Sequence, residues 1–279
     1  MTPAAGKLAV VIAHYDRTGR LARYLAEFVA HLATLVKDIV FVSTGLGAAG
    51  VAQLEPHARV IVRENVGYDF FSFKVGLESL GDLARFERIW ILNSSFLILD
   101  PGKLCEQFLG LPAADDLLGL SESTDLGAHL QSYCVLFQNP RVISSSAFAA
   151  WWGRMEPISE RLEVIRRYEI GMSQHFARMG FKLGAALVPD RRQRLMAVLR
   201  AIETRYWKIP PEGRGPAWIN PADGERLNPT HFIWEAFLKQ YGVVKLDLLR
   251  ANPFNVDLRA LHSMLAADRR CLALYEDAL

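Results

Sequence analysis

The sequence predicts an α/β fold with a mostly parallel central sheet flanked by helices, and three observations carry that expectation. Compact apolar runs alternate with amphipathic helical patterns through the first half of the chain, which is how strand–helix–strand units are written. Each run ends in polar residues, as strands do when their carboxyl ends open onto a ligand crevice. With 279 residues and 51% apolar composition, the chain has enough apolar mass for one large core.

Taken in order, "LAVVIAHY" reads as a buried strand and "RLARYLAEFVAHLATL" as an amphipathic helix. "DIVFVST" and "ARVIVRE" give a second and third strand, "SFKVGLESL" a helix, and "RIWILNSS" a fourth strand. Beyond Gly110, "DDLLGL" and "QSYCVLFQ" predict strands, "RVISSSAFAAWWGRM" and "ERLEVIRRYEIGMSQHFARMG" predict helices, and "FKLGAALV" returns to strand before Pro189. The segment "KIPPEGRGPAWINPADGERLNP" holds five prolines and three glycines, which interrupt any regular element. It joins the body to C-terminal helices that begin with "THFIWEAFLKQYG". The expected division is an α/β body over 1–190 and a helical extension over 191–279 packed on it.

Composition narrows the function classes. A net charge of +2 provides no global field for nucleic acid, so no nucleic-acid partner is expected. Arginine makes up 24 of the 32 cations, and its planar fork suits phosphate and carboxylate partners. Cys105, Cys134 and Cys271 are odd in number and far apart, which fits reduced core thiols and a cytoplasmic location better than a disulfide framework or a zinc site. No apolar run is long enough for a signal segment or a membrane span, so a soluble or peripheral protein is expected.

The motifs argue against dinucleotide and P-loop chemistry. The first strand is followed by "HYDRTGR", not by G-x-G-x-x-G, and neither G-x-x-x-x-G-K-[ST] nor a G-x-S-x-G elbow occurs. A ligand at these strand ends must therefore be held by side chains. In "RENVGYDF", Arg63 is suited to neutralise a diphosphate, Asn65 and Asp69 to bond a base, ribose or sugar, and Gly67 to allow a tight turn. The competing reading is a solvated loop with a turn glycine.

The blocks "HYD", "VIVRENVGYDFFSFKVGL", "LNSS", "HLQSYCVLF", "YEIGMSQHFARMGF" and "NPTHFIWEAFLKQYGVVKLDLLRANP" resemble, in this order, the rhamnan synthesis protein F family of rhamnosyltransferases of bacterial cell-wall and O-antigen polysaccharide assembly. The resemblance runs from about Ala9 to about Asn255. The block order is also similar to family 2 glycosyltransferases, which implies a GT-A-like fold. In that pattern Asn65 and Gly67 match a nucleotide-binding N-x-G, Asn93 to Ser95 match the place of a metal-binding D-x-D, and Glu169 matches the general base.

The resemblance implies an inverting glycosyltransferase that moves a sugar, such as L-rhamnose from dTDP-L-rhamnose, to a glycan or lipid-linked glycan acceptor. The alternative is a non-catalytic nucleotide-sugar-binding or scaffold subunit of a polysaccharide assembly complex. Glu169 is the expected catalytic base, set against a helix carboxylate paired with Arg166 or Arg167. His14 and Tyr15 are expected at the nucleobase or as caps on the sheet, and Lys74 at a phosphate or in solvent. His129 and Gln131 share one face of a strand and are expected at the acceptor or donor sugar, with a backbone-bonded histidine as the other reading.

One departure affects the cofactor. The family writes N-D-S at the fourth strand end, and this chain writes Asn93, Ser94 and Ser95, which lacks the carboxylate that Mg²⁺ or Mn²⁺ prefers. Three alternatives follow: a metal held elsewhere, through Asp69; neutralisation of the diphosphate by arginine and lysine without metal; or loss of activity. Separately, Leu195, Leu199, Ile202 and Tyr206 fall on one face of "RRQRLMAVLRAIETRYWKI", ringed by Arg191, Arg194, Arg205 and Lys208 with Trp207 nearby. That face fits either the cytoplasmic surface of the inner membrane or the protein's own core.

Overall fold

The computed structural model describes residues 7–124, 127–208 and 228–279, without the side chains of 204–208. Strands β1 (Leu8–His14), β2 (Asp38–Ser43), β3 (Arg59–Val62) and β4 (Arg88–Asn93) alternate with helices α1 (Arg23–Ala33), α2 (Ala48–Leu54) and α3 (Tyr68–Ser79). Strand β5 (Phe96–Ile98) leads into α4 (Pro101–Leu109), which Asp100 caps by accepting from the Lys103 N–H. Short strands β6 (Leu117–Gly119), β7 (Glu122–Ser123), β8 (His129–Leu130) and β9 (Cys134–Phe137) follow. Helices α5 (Pro140–Ile143), α6 (Ser146–Gly153), α7 (Arg161–Val164) and α8 (Gly171–Arg178) precede β10 (Leu183–Ala185). The remainder is α9 (Arg191–Lys208), α10 (Pro229–Phe232), α11 (Trp234–Tyr241), β11 (Val243–Lys245), α12 (Leu246–Arg250), α13 (Arg259–Ala266) and α14 (Arg269–Ala278).

The central sheet has seven strands in the order β10-β6-β9-β4-β1-β2-β3. Its neighbours pair in parallel except at β9, which runs antiparallel to both β4 and β6. This is the mostly parallel α/β sheet flanked by helices that the sequence predicts. Strand β1 lies at its centre, and the sheet's period of two sends Val10 and Ile12 into one apolar layer and Ala9, Val11 and Ala13 into the other. Both faces are covered, so β1 has no polar residue before His14. On the second face α3 comes close because Gly76 has no side chain: a Cβ there would lie 2.3 Å from Val11 Cγ1.

The C-terminal part is mostly helical, as expected, but it also supplies a strand. Strand β11 pairs antiparallel with β5, with Val243 opposite Ile98 and Lys245 opposite Phe96. Residues of α11, α13 and α14 share one continuous apolar cluster with β1, α1 and α4. At the surface, Arg20 and Arg23 of the first βα unit hold Asp277 of the last helix.

Some elements differ from the expectation. Helix α3 starts at Tyr68, four residues before "SFKVGLESL", because Gly67 ends the preceding loop in the left-handed region. The long helix expected over 160–180 is continuous but contains a π-helical turn, Ile165–Ile170, between α7 and α8. The proline-rich joint at 209–227 lies outside the described residues.

Candidate active site

A cavity of about 1000 Å³ opens where the carboxyl ends of β1 to β4 meet β8, the π-helical turn and the start of α12. Tyr15, Asn65, Gly67, Asp69, Asn93, Ser95, His129, Gln131 and Glu169, all singled out in the sequence, line it. His14, Arg63 and Lys74 do not.

Those three residues have structural roles instead. His14 is buried, with its Nδ1 2.9 Å from Ser43 Oγ, and burial pushes its imidazole down to about 4, so it is neutral and fixed in the sheet. The Arg63 guanidinium donates to the carbonyls of Glu64, Val66 and Tyr68 at 2.8, 2.6 and 2.9 Å, and to Ser72 Oγ at 2.8 Å. It organises its own loop in place of the diphosphate contact expected of it. Lys74 Nζ donates to the Gly153 and Met155 carbonyls at 3.3 and 3.1 Å, tying α3 to the end of α6 and the segment after it.

The loop that Arg63 closes then makes an unusual turn. Gly67 has φ +74° and Tyr68 has φ +52°, so two successive residues adopt left-handed backbone. The turn starts α3 with Asp69 in its first turn and aims that carboxylate into the cavity. Protein atoms surround Asp69 on most sides while one edge meets the cavity. Burial pushes its carboxyl up to about 6, against the opposing pull of Lys245 and the Asn93 amide.

A chain of hydrogen bonds joins this carboxylate to the fourth strand end. Asn93 Nδ2 donates to Asp69 Oδ2 at 2.7 Å, while Asn93 Oδ1 accepts from both the N–H and the hydroxyl of Ser95. Lys245 Nζ donates to Ser95 Oγ at 2.7 Å and lies 4.5 Å from the centre of the Tyr133 ring. Burial lowers the lysine's pKa, and the charges of Glu169, Asp69 and Asp247 work against that.

On another wall, the π-helical turn presents Glu169. Ser132 donates to Glu169 Oε1 through both its N–H and its hydroxyl, each at 2.9 Å. Among the described residues nothing engages Oε2. Arg167 pairs with Glu163 across 3.8 Å, so the expected alternative, a glutamate tied to its helix neighbours, is not what the geometry shows. A π-turn adds one residue to the local repeat and re-aims the side chains within it, which is why such turns recur at functional sites.

His129 Nδ1 lies 2.7 Å from the Gly127 carbonyl, so the backbone-bonded reading of this histidine holds while its ring still lines the cavity. Gln131 accepts from Ser121 Oγ at 2.7 Å and donates to Asn228 Oδ1 at 3.3 Å, which ties β8 to the C-terminal segment. Sequence reasoning passed over Ser132, His231, Lys245, Asp247, Arg161 and Arg250, all at the cavity. For Lys245 a signal existed: a lysine following Val243 and Val244 and preceding Leu246 is a charge written into an apolar run.

These residues do not fit a hard divalent cation. The strand end offers one amide and two hydroxyls, Asp69 already accepts from Asn93, and an ammonium group bonds Ser95. Among the described residues no group of three or more His, Cys, Asp or Glu side chains converges.

Helix α9 does not bury its whole apolar stripe in the protein's own core. Ala197 and Ala201 face the core, while Leu195 and Leu199 are 58% and 50% exposed beside Arg191, Arg192 and Arg194. The side chains of Arg205, Tyr206, Trp207 and Lys208 lie outside the described residues. Among the described residues no helix is long and apolar enough to cross a membrane.

The sheet and the cavity at its carboxyl edge define an α/β protein with a candidate site lined by side chains at strand ends. Residues 39–199 match the family described as rhamnan synthesis protein F, and the chain belongs to that family. It is 27% identical over 153 residues to the uncharacterized protein y4gN of Sinorhizobium fredii, covering 52% of this chain and 38% of that protein. It is 25% identical over 202 residues to the virulence protein VirA of Vibrio anguillarum, covering 69% of this chain and 62% of that protein. The chain thus spans less than two thirds of the length of either relative. Among solved structures, it is similar to the glycosyltransferase GlyE of Streptococcus pneumoniae, with TM-score 0.45 and 13% identity over 97% of this chain and 63% of that one. A cytidylyltransferase from Leptospira borgpetersenii is similar with TM-score 0.39 and 8% identity, over 80% of this chain and 98% of that one.

Proposed function

We propose that this chain transfers a sugar from a nucleoside diphosphate donor to a glycan hydroxyl, with inversion, and that Glu169 is the base. One observation carries the reading: a glutamate anchored through a single oxygen lies in the same cavity as the strand-end group Asp69, Asn93 and Ser95. Anchoring Oε1 fixes the direction in which Oε2 meets an acceptor.

The chemistry follows from that placement. Oε2 takes the proton of the acceptor hydroxyl as its oxygen attacks the anomeric carbon. The new C–O bond forms on the face opposite the bond to the diphosphate, which breaks and leaves with the electron pair. Tyr15, 53% exposed at the end of β1, offers a ring on which a nucleobase can stack, and Asn65 offers polar contacts beside it. His129 and Gln131 line the acceptor side. L-Rhamnose, carried as dTDP-L-rhamnose, is the donor sugar suggested by the family, and a growing or lipid-linked bacterial surface glycan is the acceptor.

The outward face of α9 supports a peripheral contact with an anionic membrane, where a lipid-linked acceptor is presented. The deciding experiment is a turnover assay with dTDP-L-rhamnose and a panel of other nucleotide sugars, run on the wild type and on Glu169→Gln. Turnover that falls by at least about 100-fold in the variant, with donor binding retained, supports the reading. Donor binding without turnover in the wild type would replace it with the scaffold alternative.

A further inference from the structure

The fourth strand end holds an ammonium group where the resemblance places a metal. Strand β11 sets it there: pairing puts Lys245 opposite Phe96, and the Leu246 N–H donates to the Ser95 carbonyl at 3.0 Å. The side chain then has little freedom, because Nζ donates to Ser95 Oγ at 2.7 Å above the Tyr133 ring.

We propose that Lys245 receives the donor diphosphate directly, so that this site binds nucleoside diphosphates without a divalent cation. The inference rests on the donor reading above and specifies the counter-charge that reading needs. An ammonium group has three N–H donors, and among the described residues Ser95 takes one of them, which leaves others for phosphate oxygens. Asp69, Glu169 and Asp247 line the same cavity, and their charges favour the ammonium form against the burial that lowers its pKa. The strand end itself offers a metal only the Asn93 amide and the Ser94 and Ser95 hydroxyls, and Ser95 Oγ already accepts from Nζ. The other cations first expected at the diphosphate, Arg63 and Lys74, are spent on backbone carbonyls. Arg161, at the start of α7, lines the cavity and makes no ion pair among the described residues, so it can assist from the rim.

The rival role for Lys245 is structural, as a partner that only neutralises the neighbouring carboxylates. Calorimetric titration of the full chain separates the two. The titrants are dTDP, UDP, GDP and ADP and the corresponding nucleosides, each in EDTA and again with excess Mn²⁺. The expected result is that at least one diphosphate binds equally well, within about two-fold, in both buffers. In Lys245→Gln that diphosphate should weaken by about ten-fold or more while its nucleoside is unchanged, and Lys245→Arg should recover most of the loss.

Diphosphate binding that appears only with Mn²⁺ overturns the proposal and leaves the donor reading intact. Equal weakening of nucleoside and diphosphate in Lys245→Gln assigns the lysine a structural role and also overturns it. If no diphosphate binds the wild type in either buffer, both readings fall. The EDTA comparison on wild type needs no variant, so it decides even if a substitution at this position fails to fold.

Discussion

Ser132 holds Glu169 by one oxygen only, its N–H and its hydroxyl both donating to Oε1 at 2.9 Å. The pair joins the segment between β8 and β9 to the π-helical turn, two parts of the chain 37 residues apart. The base proposed above needs a direction, and this contact supplies one.

That contact can be weakened without removing the carboxylate. Ser132→Ala keeps the backbone donor and loses the hydroxyl, so kcat should fall by about ten-fold, ~1.4 kcal/mol of barrier, with the donor KM nearly unchanged. Ser132→Thr should restore most of it. Steady-state kinetics on the two variants checks this, and a loss carried entirely by KM would place Glu169 outside the chemical step.

Asp69 gives stability a pH dependence of defined sign. Its carboxyl is pushed from an ordinary value of 3.8 up to about 6 in the folded chain, chiefly by burial, so the folded state binds the proton more tightly than the unfolded state. Its contribution is therefore fully present below about pH 4 and is lost as pH rises through about 6. Asp69→Asn removes the ionisation. Relative to wild type, the variant should gain on the order of 1–3 kcal/mol between pH 4 and pH 7.5, read as the difference between urea midpoints at the two pH values. Donor affinity should fall at the same time. A constant stability difference across that range would contradict the assignment.

Arg63 is expected to act on stability and not on phosphate, because its guanidinium is held by the loop carbonyls. Arg63→Ala leaves the Glu64, Val66 and Tyr68 carbonyls without their donor and should cost about 1–3 kcal/mol in urea unfolding. Arg63→Lys should recover little, because an ammonium group cannot reproduce the planar fork that reaches three carbonyls and Ser72. Full rescue by lysine would indicate that charge, not shape, matters there.

The turn before Asp69 has no room for a side chain. A Cβ on Gly67 would lie 2.6 Å from Phe71 Cβ and 2.9 Å from the Pro157 Cα, and its φ of +74° already disfavours an L-residue. Gly67→Ala should destabilise the fold by about 1–3 kcal/mol and weaken donor binding, since the displaced turn carries Asp69 with it. Gly81→Ala provides the control: it has a similar φ of +74° but nothing within 4 Å of its Cβ, so it should cost less. Thermal denaturation of both variants makes the comparison.

The exposed face of α9 predicts binding to anionic vesicles. Flotation of the intact protein with phosphatidylglycerol vesicles should fall sharply when Arg191, Arg192 and Arg194 are changed together to glutamine, and again with Leu195→Gln and Leu199→Gln. Equal flotation of all variants, or none by wild type, removes the membrane contact.

Much of the site was legible because strand ends in a parallel sheet announce themselves. An apolar run that stops at "LNSS" or "RENVGYD" states where water or ligand begins, and Tyr15, Asn65, Asp69, Asn93 and Ser95 were found that way. The three residues that moved to structural roles share a cause. Sequence shows that Arg63 and Lys74 carry charge and that His14 ends a strand, but not which backbone carbonyls or hydroxyls lie within reach. Long cations find those acceptors through loop geometry that no local pattern encodes.

By itself, the sequence determined the α/β alternation and the burial of β1, while Glu169 was marked by the family resemblance alone. The alternation and the burial depend on spacing along the chain, which fixes which side of a strand or helix a residue occupies. Only the tertiary structure decided that Lys245, more than 170 residues beyond Asp69, shares its hydrogen-bond chain through Ser95 and Asn93. That neighbourhood arises because β11 returns to pair with β5, and long-range strand pairing is set by the fit of whole surfaces, not by any neighbour in sequence.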